Sequence, residues 1–268
     1  MFWINGVEQN FISASDRAVQ FGDGCFTTAR VAGGRVVWLD AHIQRLQQAT
    51  KRLLMSAVNW DALTNEMVEA ANHTKDGVLK VIISRGIGGR GYSAPVCQHP
   101  TRVISLSDYP AHYHSWRDRG ISLALSPVPL ARSPLLAGIK HLNRLEQVLI
   151  RMHLEQTEAD EALVLDTEGM LVECCAANLF WRKKDKIFTP DLSQSGVDGI
   201  MRQRIISCLA RHGWPVAIVA QPLSVLADAD EVILCNALMP LLPVKSAETW
   251  VYNSRQLFDF LNLHCCDV

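Results

Sequence analysis

LAGIKHLNRLEQVLIR, residues 136–151, puts a lysine where the electrostatics of helices would favour an acid. Leu142, Leu145, Val148, Leu149 and Met152 recur at spacings of three and four, the apolar stripe of an amphipathic helix, while Arg144, Glu146, Gln147, Arg151 and Glu155 fill its other faces. The first turn of a helix carries partial positive charge and draws Asp, Glu, Ser or Asn. Lys140 stands just ahead of that turn, behind Leu135, Leu136, Ala137, Gly138 and Ile139. Apolar neighbours and a nearby positive helix end both favour the neutral amine. A neutral lysine amine is a nucleophile that forms imines with carbonyl compounds. The stretch also permits a surface lysine whose ammonium reaches water along its own stem.

Outward from this helix the chain mixes strands and helices. MFWINGV reads as a short strand and hairpin, and FGDGCFTTARVAGGRVVWL as two strands around Gly33 and Gly34. DAHIQRLQQATKRLLMSA is expected to be a helix capped by Asp40, and WDALTNEMVEAANHT a second with Asp61 near its start. GVLKVIISRG and TRVISLSDYP are strands. YPAHYHSWRDRG is polar, contains Pro110 and breaks the pattern, so a linker is expected over 108–119. Beyond it GISLALSPV is a strand and the Lys140 helix comes next. EALVLD, LVECCAANLFW and KIFTP are then strands joined by TEG and KKD turns. GIMRQRIISCLARHG is a helix closed by Gly213, EVILCN a strand and SRQLFDFLNLH a last helix. Helices and strands do not alternate strictly, which favours α+β over a doubly wound sheet. The expected division is a smaller N-terminal α+β domain over 1–107 and a larger C-terminal one over 120–268 that carries Lys140.

Composition narrows the function classes. With 26 Lys plus Arg against 27 Asp plus Glu, the net charge of −1 shows no basic stripe for nucleic acid and no acidic tail. MFWINGVEQN lacks the pattern of a secretory signal, and VILCNALMPLLPV is too short and proline-rich to cross a bilayer. A soluble, cytoplasmic protein without a membrane or nucleic-acid partner is expected. The 8 cysteines contain no CxxC, and the pairs Cys174-Cys175 and Cys265-Cys266 are poor disulfide geometry, so they read as reduced thiols. His112 and His114 are close in sequence but lack an evident third ligand, so no metal is expected.

Three further stretches stand out. Glu173 lies in MLVECCAANLFW, otherwise uncharged from 170 to 181, and a carboxylate there needs a partner from elsewhere in the fold or from a ligand. GVDGIMRQRI sets Gly196 and Gly199 before a helix, where backbone N–H groups can converge on a phosphate. NALMP, 236–240, succeeds a strand and can add donors through a tight turn. An internal ion pair and plain turns account for each of these alone. RGIGGRGYS contains a formal G-x-G-x-x-G, but Pro95 and Pro100 interrupt the next stretch, and no helix is there to hold a pyrophosphate. It reads instead as a glycine loop presenting Arg85, Arg90 and Tyr92.

A desolvated lysine, a carboxylate in an apolar strand and two phosphate-ready turns together fit pyridoxal 5′-phosphate. The chain resembles the fold-type IV pyridoxal-phosphate enzymes, the group of branched-chain and D-amino-acid transaminases and aminodeoxychorismate lyases. FGDGCFTTARV, HIQRL, KVIISRGIGGRGYS, YPAHY, LAGIKHLNRLEQVLIR, ECCAANLFW, GIMRQ and CNALMP carry the resemblance, which covers nearly the whole chain and is nearest to the lyases. It implies a two-domain, D-amino-acid-aminotransferase-like α+β fold with the cofactor between the domains, and a homodimer. By the same resemblance Lys140 matches the Schiff-base lysine, and Glu173 the carboxylate on the pyridine nitrogen, with Asn178 in the group's E-x-x-x-x-N pattern. Arg45 matches the arginine that pairs with phosphate, and Gly199, Ile200, Met201, Asn236 and Ala237 the phosphate cup. Arg90 and Tyr92 match polar residues that hold a substrate carboxylate.

The implied reaction converts 4-amino-4-deoxychorismate to 4-aminobenzoate and pyruvate in folate synthesis. Phe26-Thr27 stands where D-amino-acid transaminases usually carry Tyr-Glu, and Leu145 where many relatives carry a tyrosine, which weakens the case for an ordinary amino-acid pocket. A transaminase of the same fold, and a non-catalytic protein binding a phosphate ligand, are the alternatives.

Overall fold

The computed structural model describes residues 1–55 and 57–265; Ser56 and residues 266–268, Cys266 among them, lie outside the described residues. Contacts divide the described residues into two units: Met1–Tyr109 with Ile139–Asn143, and Pro110–Gly138 with the described residues from Arg144 on.

The first unit contains β1 (Phe2–Ile4), β2 (Val7–Glu8), α1 (Arg17–Phe21), β3 (Gly24–Ala32), β4 (Arg35–Val36), α2 (Leu39–Arg52), α3 (Trp60–Ala71), β5 (Asp76–Ser84) and β6 (Thr101–Ser107). Among the described residues its strands form one sheet in the order β2-β1-β6-β5-β3-β4, antiparallel throughout. β3 alternates strictly after its first residue, so Cys25, Thr27, Ala29 and Val31 point inward. Cys25 and Val31 join Leu46 of α2, Leu63 and Met67 of α3, Leu79 and Val81 of β5 in one apolar core, while Phe26 and Thr28 face the other way.

The second unit contains α4 (His112–Arg119), β7 (Ile121–Leu125), α5 (Leu145–Leu154), β8 (Glu161–Leu165), β9 (Leu171–Cys174), β10 (Asn178–Lys183), β11 (Lys186–Pro190), α6 (Ile200–Arg211), β12 (Val216–Val219), β13 (Glu231–Cys235), β14 (Leu242–Ala247), β15 (Trp250–Val251) and α7 (Gln256–His264). The described strands order as β12-β11-β10-β13-β14-β7-β8-β9, with β15 on β14. Parallel pairs occur only at β11·β12, β7·β14 and β7·β8. β9 ends this order and β10 lies near its other end, yet only residues 175–177 join them. The sheet therefore curls on itself, around Leu163, Leu179, Trp181, Val232, Leu234 and Tyr252. The α+β expectation holds, with two curled, mostly antiparallel sheets.

Four expectations need correction. The stretch expected as a linker is mostly α4, whose His112 packs edge-on against Tyr113 and Trp116; a short helix with ring contacts escapes an apolar-periodicity reading because its sequence is polar. Lys140, expected in the C-terminal domain, belongs by its contacts to the first unit, because residues 140–142 pair with β3. Asp40 sits inside the first turn of α2 rather than at its cap, which is Trp38 with φ 55°. Lastly, α5 begins at Leu145, not beside Lys140, and the stripe expected as its buried face is outward: Leu145 is 71% exposed, and Val148, Leu149 and Met152 are exposed as well. The residues it buries, Ile150 and Leu154, lie roughly half a turn away at 3.6 residues per turn.

The seven described cysteines form no disulfide. Among the described residues no cluster of His, Cys, Asp and Glu is placed to hold a metal, and no helix is long and apolar enough to cross a membrane.

Candidate active site

In the first unit the backbone of residues 140–142 runs along the edge of β3. The Phe26 N–H donates to the Lys140 carbonyl at 2.9 Å, the Leu142 N–H to the Gly24 carbonyl at 3.0 Å, and His141 bridges Cys25. Ile139 is buried in the same core as Cys25 and Leu46. This pairing fixes the base of the lysine rather than leaving it on a frayed helix end. Its Nζ lies 4.7 Å from the centroid of the Phe26 ring, whose π electrons attract a cation; Lys80 Nζ lies 5.1 Å from the same ring.

On the opposite face of β3, Arg45 of α2 donates to Thr27 Oγ1, and Thr27 Oγ1 lies 2.6 Å from His42 Nδ1. Burial, aided by the Arg45 charge, pushes His42 down to about 3, so its ring is neutral near pH 7. Burial pushes the Cys25 thiol up to about 12 against the pull of Arg45, which leaves it protonated and inert. Thr27 and His42 were missed by sequence reasoning; the signal was H-x-x-R on one helix face, which places His42 and Arg45 side by side.

Arg90 and Tyr92 occur in the irregular stretch after β5. Three carbonyls of this loop, of Gly91, Tyr92 and Ser93, accept from the buried Arg17 guanidinium. Arg17 also pairs with Asp23 at 2.7 Å, and Asp23 holds Arg85 at 2.8 Å. Burial works against the Asp23 carboxylate, but the two guanidiniums outweigh it and hold Asp23 below the usual range. Tyr92 is 88% exposed, with its ring 5.4 Å from that of Phe21.

In the second unit Glu173 is the penultimate residue of β9 and Asn178 begins β10, both buried. They grip one residue from both sides: the Val197 N–H donates to Glu173 Oε2 at 2.8 Å, and Asn178 Nδ2 donates to the Val197 carbonyl at 2.8 Å. The loop 195–199 is close enough to exclude side chains at its glycines. A Cβ on Gly199 would stand 2.2 Å from Asn178 Oδ1, and one on Gly196, at φ +84°, would stand 2.6 Å from Val172 Cγ1. Gly138, two residues before Lys140, pairs with the same loop through the Gly196 carbonyl at 2.9 Å and the Asp198 N–H at 3.1 Å. The partner that Glu173 requires therefore includes a backbone amide, and also the field of Arg144. Burial pushes the Arg144 guanidinium down from its ordinary value, while the charges of Glu173 and Glu146 pull it back up.

Gly199 caps α6 without a side-chain bond, so the first N–H groups of the helix, at Ile200 and Met201, have no partner inside it. Asn236 lies next to this region because Cys235 pairs with Asn178. Its Oδ1 accepts from the Leu238 and Met239 N–H groups at 2.8 and 2.7 Å, and its Nδ2 donates to the Ala176 carbonyl at 3.0 Å. Asn236 thus shapes the turn, and Ala237 is the residue whose N–H it leaves available to an anion. An uncapped helix start, a second amide turn, a glycine-lined loop and a clamped carboxylate suit a phosphorylated pyridine, and the lysine amine suits its aldehyde.

The model of the family "Amino-transferase class IV" matches residues 24–247. An aminodeoxychorismate lyase of Vibrio harveyi is 39% identical over 91% of this chain and 90% of its own length. A crystal structure of 4-amino-4-deoxychorismate lyase from Pseudomonas aeruginosa superposes with a TM-score of 0.92 at 36% identity, covering 98% of each chain. A hypothetical aminotransferase from Mycobacterium tuberculosis in its PLP-bound form, 20% identical, shares the fold at a TM-score of 0.84 over 97% of this chain and 95% of that one. The chain belongs to the class IV amino-transferase family, and its cofactor is pyridoxal 5′-phosphate.

Proposed function

We propose that this protein is a 4-amino-4-deoxychorismate lyase that releases 4-aminobenzoate and pyruvate for folate synthesis, acting as a homodimer in the cytoplasm. The observation that carries the reading is Lys140 Nζ over the Phe26 ring, a hydrocarbon ring in the position where D-amino-acid transaminases present a hydroxyl. Lys140 there lies beside a surface that suits a ring about to become aromatic.

Pyridoxal phosphate supplies an electron sink for the carbon that bears the substrate amine. Glu173, whose Oε2 accepts from the Val197 N–H, would hold a proton on the pyridine nitrogen. Arg45, Ala237 and the Gly199, Ile200 and Met201 amides would hold the phosphate, and Asn178 and Asn236 set the loops. Lys140 Nζ takes the C4 proton of the substrate. The C3–O bond then breaks, the ring electrons close to the aromatic product, and the Lys140 ammonium returns a proton to the departing enolpyruvate carbon to give pyruvate. Arg90 and Tyr92 seat substrate carboxylates, and the exposure of Tyr92 suits a reach into the site of a second subunit. The outward stripe of α5 is the apolar surface that a second copy would cover. Buried thiols without disulfides suit a reducing compartment.

Incubation with 4-amino-4-deoxychorismate should release pyruvate. If only D-alanine plus 2-oxoglutarate reacts, the protein is a transaminase using the same lysine and glutamate. Lys140→Ala should abolish the cofactor's visible band together with turnover; retained turnover removes the role given to Lys140. Leu145→Glu with Met152→Glu should shift the mass measured by light scattering from dimer to monomer, and an unshifted mass argues against α5 as the interface.

A further inference from the structure

Glu161 is a buried acid that none of these steps uses. It opens β8, is 5% exposed, and lies one strand from Leu123 and one from the end of β9. Packing alone would be better served there by an apolar side chain, because a desolvated carboxylate costs free energy unless hydrogen bonds offset it. Its bonds are specific. Oε1 accepts from the Ala162 N–H at 2.8 Å and Oε2 from the Ala176 N–H at 3.2 Å.

Ala176 is the middle of the three residues between Glu173's strand and Asn178's. The turn is closed by the Cys174 N–H on the Ala177 carbonyl at 2.7 Å, and tied to β8 by the Cys175 N–H on the Ala162 carbonyl at 3.0 Å. The other side of Ala176, its carbonyl, accepts from Asn236 Nδ2 at 3.0 Å. One residue is therefore held by an acid on its N–H and by a cofactor-loop amide on its C=O. The turn sets the spacing of the two side chains that grip Val197.

We propose that Glu161 is a positioning residue for the cofactor site: by accepting the Ala176 N–H, its carboxylate holds the turn that spaces Glu173 and Asn178 around Val197 and seats Asn236. The inference rests on the assignment of Glu173, Asn178 and Asn236 to the cofactor.

It has a signature that simple packing lacks. A carboxylate accepts at both oxygens, whereas a protonated carboxyl offers a donor and a weaker acceptor, so the clamp loosens on protonation. Burial pushes Glu161 up to about 7, against the lowering by its backbone bonds and by Arg151. The groups around it are Arg151 of α5 and Cys174, whose thiol is kept protonated by burial and by the fields of Glu161 and Glu173. Arg151 is exposed and paired with Glu155, so Glu161 is the group here that changes charge near neutrality.

The test is cofactor retention by Glu161→Gln holoenzyme, monitored through visible absorbance on dilution between pH 6 and 8. Gln has one acceptor for two N–H donors. The variant should hold the cofactor about tenfold more weakly than the wild type at pH 8, and the ratio should shrink towards one at pH 6, where the wild type is itself protonated. A ratio of one at every pH, or the same loss at every pH, overturns the proposal. If the variant does not fold, amide hydrogen exchange of wild-type holoenzyme decides. Protection of residues 174–178 and 196–199, corrected for intrinsic rate and taken relative to that of β13, should rise at least threefold from pH 6 to pH 8, and an unchanged ratio overturns it. Glu173→Gln separates this from the assignment beneath it. If that variant keeps the wild-type cofactor spectrum, the assignment of Glu173 fails; if its spectrum changes while Glu161→Gln matches the wild type, only the clamp fails.

Discussion

Two glycine-rich loops, residues 85–93 and 195–199, are alike in composition and are held in opposite ways. The first is gripped from its carbonyl side, with Arg17 donating to Gly91, Tyr92 and Ser93. The second is gripped on both sides of one residue, Glu173 accepting from the Val197 N–H and Asn178 donating to its carbonyl. The consequences depend on the groups each grip leaves over. The first loop continues into irregular chain and offers side chains, Arg90 and an exposed Tyr92. The second continues into α6 and offers backbone N–H groups. Glycine content thus does not say what a loop binds; the next element along the chain, and the polarity of the side chain that grips the loop, do.

The contrast is broken most severely at Gly199. Gly199→Ala forces a methyl to 2.2 Å from Asn178 Oδ1, so the second loop should separate from its clamp. Cofactor affinity should fall at least a hundredfold, roughly 3 kcal/mol, as read by equilibrium dialysis. A normal affinity would mean that the loop tolerates displacement.

The next effect is on stability against pH, and arises behind the second loop. Glu161 is raised from its ordinary 4.5 to about 7 in the fold, so between these values the folded state keeps a proton that the unfolded state has lost. The contribution is complete below about 4.5 and lost as pH rises through about 7, an amount on the order of 3 kcal/mol. Urea unfolding of the wild type against Glu161→Gln should show the difference shifting in favour of the variant from pH 5 to pH 8. Parallel curves would contradict the raised value.

Arg17→Met should sharpen the comparison from the other side. It frees the three carbonyls of the first loop but leaves Asp23 paired with Arg85. KM for the substrate should rise about tenfold with cofactor affinity unchanged, since the role proposed for the loop is to seat substrate. Loss of cofactor would place that loop in the wrong role. Tyr92→Phe, the smallest change, should raise KM by about threefold, near the low end for one exposed hydrogen bond.

How much of this is legible in the sequence varies by residue. Lys140 and Glu173 are visible because a charge among apolar neighbours is conspicuous in a linear string. The absence of a helix after residues 85–93 is visible because proline interrupts one. Gly196 and Gly199 are visible as a pre-helix pair, though not the distances that make them obligatory. The Arg45, Thr27 and His42 group is hidden because β3 and α2 meet only after folding. Arg144 passes in the sequence for a charge on an outer helix face, and it is partly buried within reach of Glu173. Glu161 passes for the first residue of an ordinary strand, since nothing nearby in sequence marks its partner, fifteen positions on.

Periodicity, glycine placement and isolated charges, all properties of neighbours along the chain, sufficed for most of the elements and their order, and for singling out a lysine, a carboxylate and two amide turns as the candidate chemistry. Tertiary structure alone decided that Lys140 is pinned to β3 rather than to the start of α5, that α5 buries Ile150 and Leu154 rather than its longer stripe, and which acids and amides share a turn. The physical reason is that an apolar stripe or a buried charge specifies a need for a partner, while the partner itself is set by which distant segments the folded sheets bring within hydrogen-bond reach.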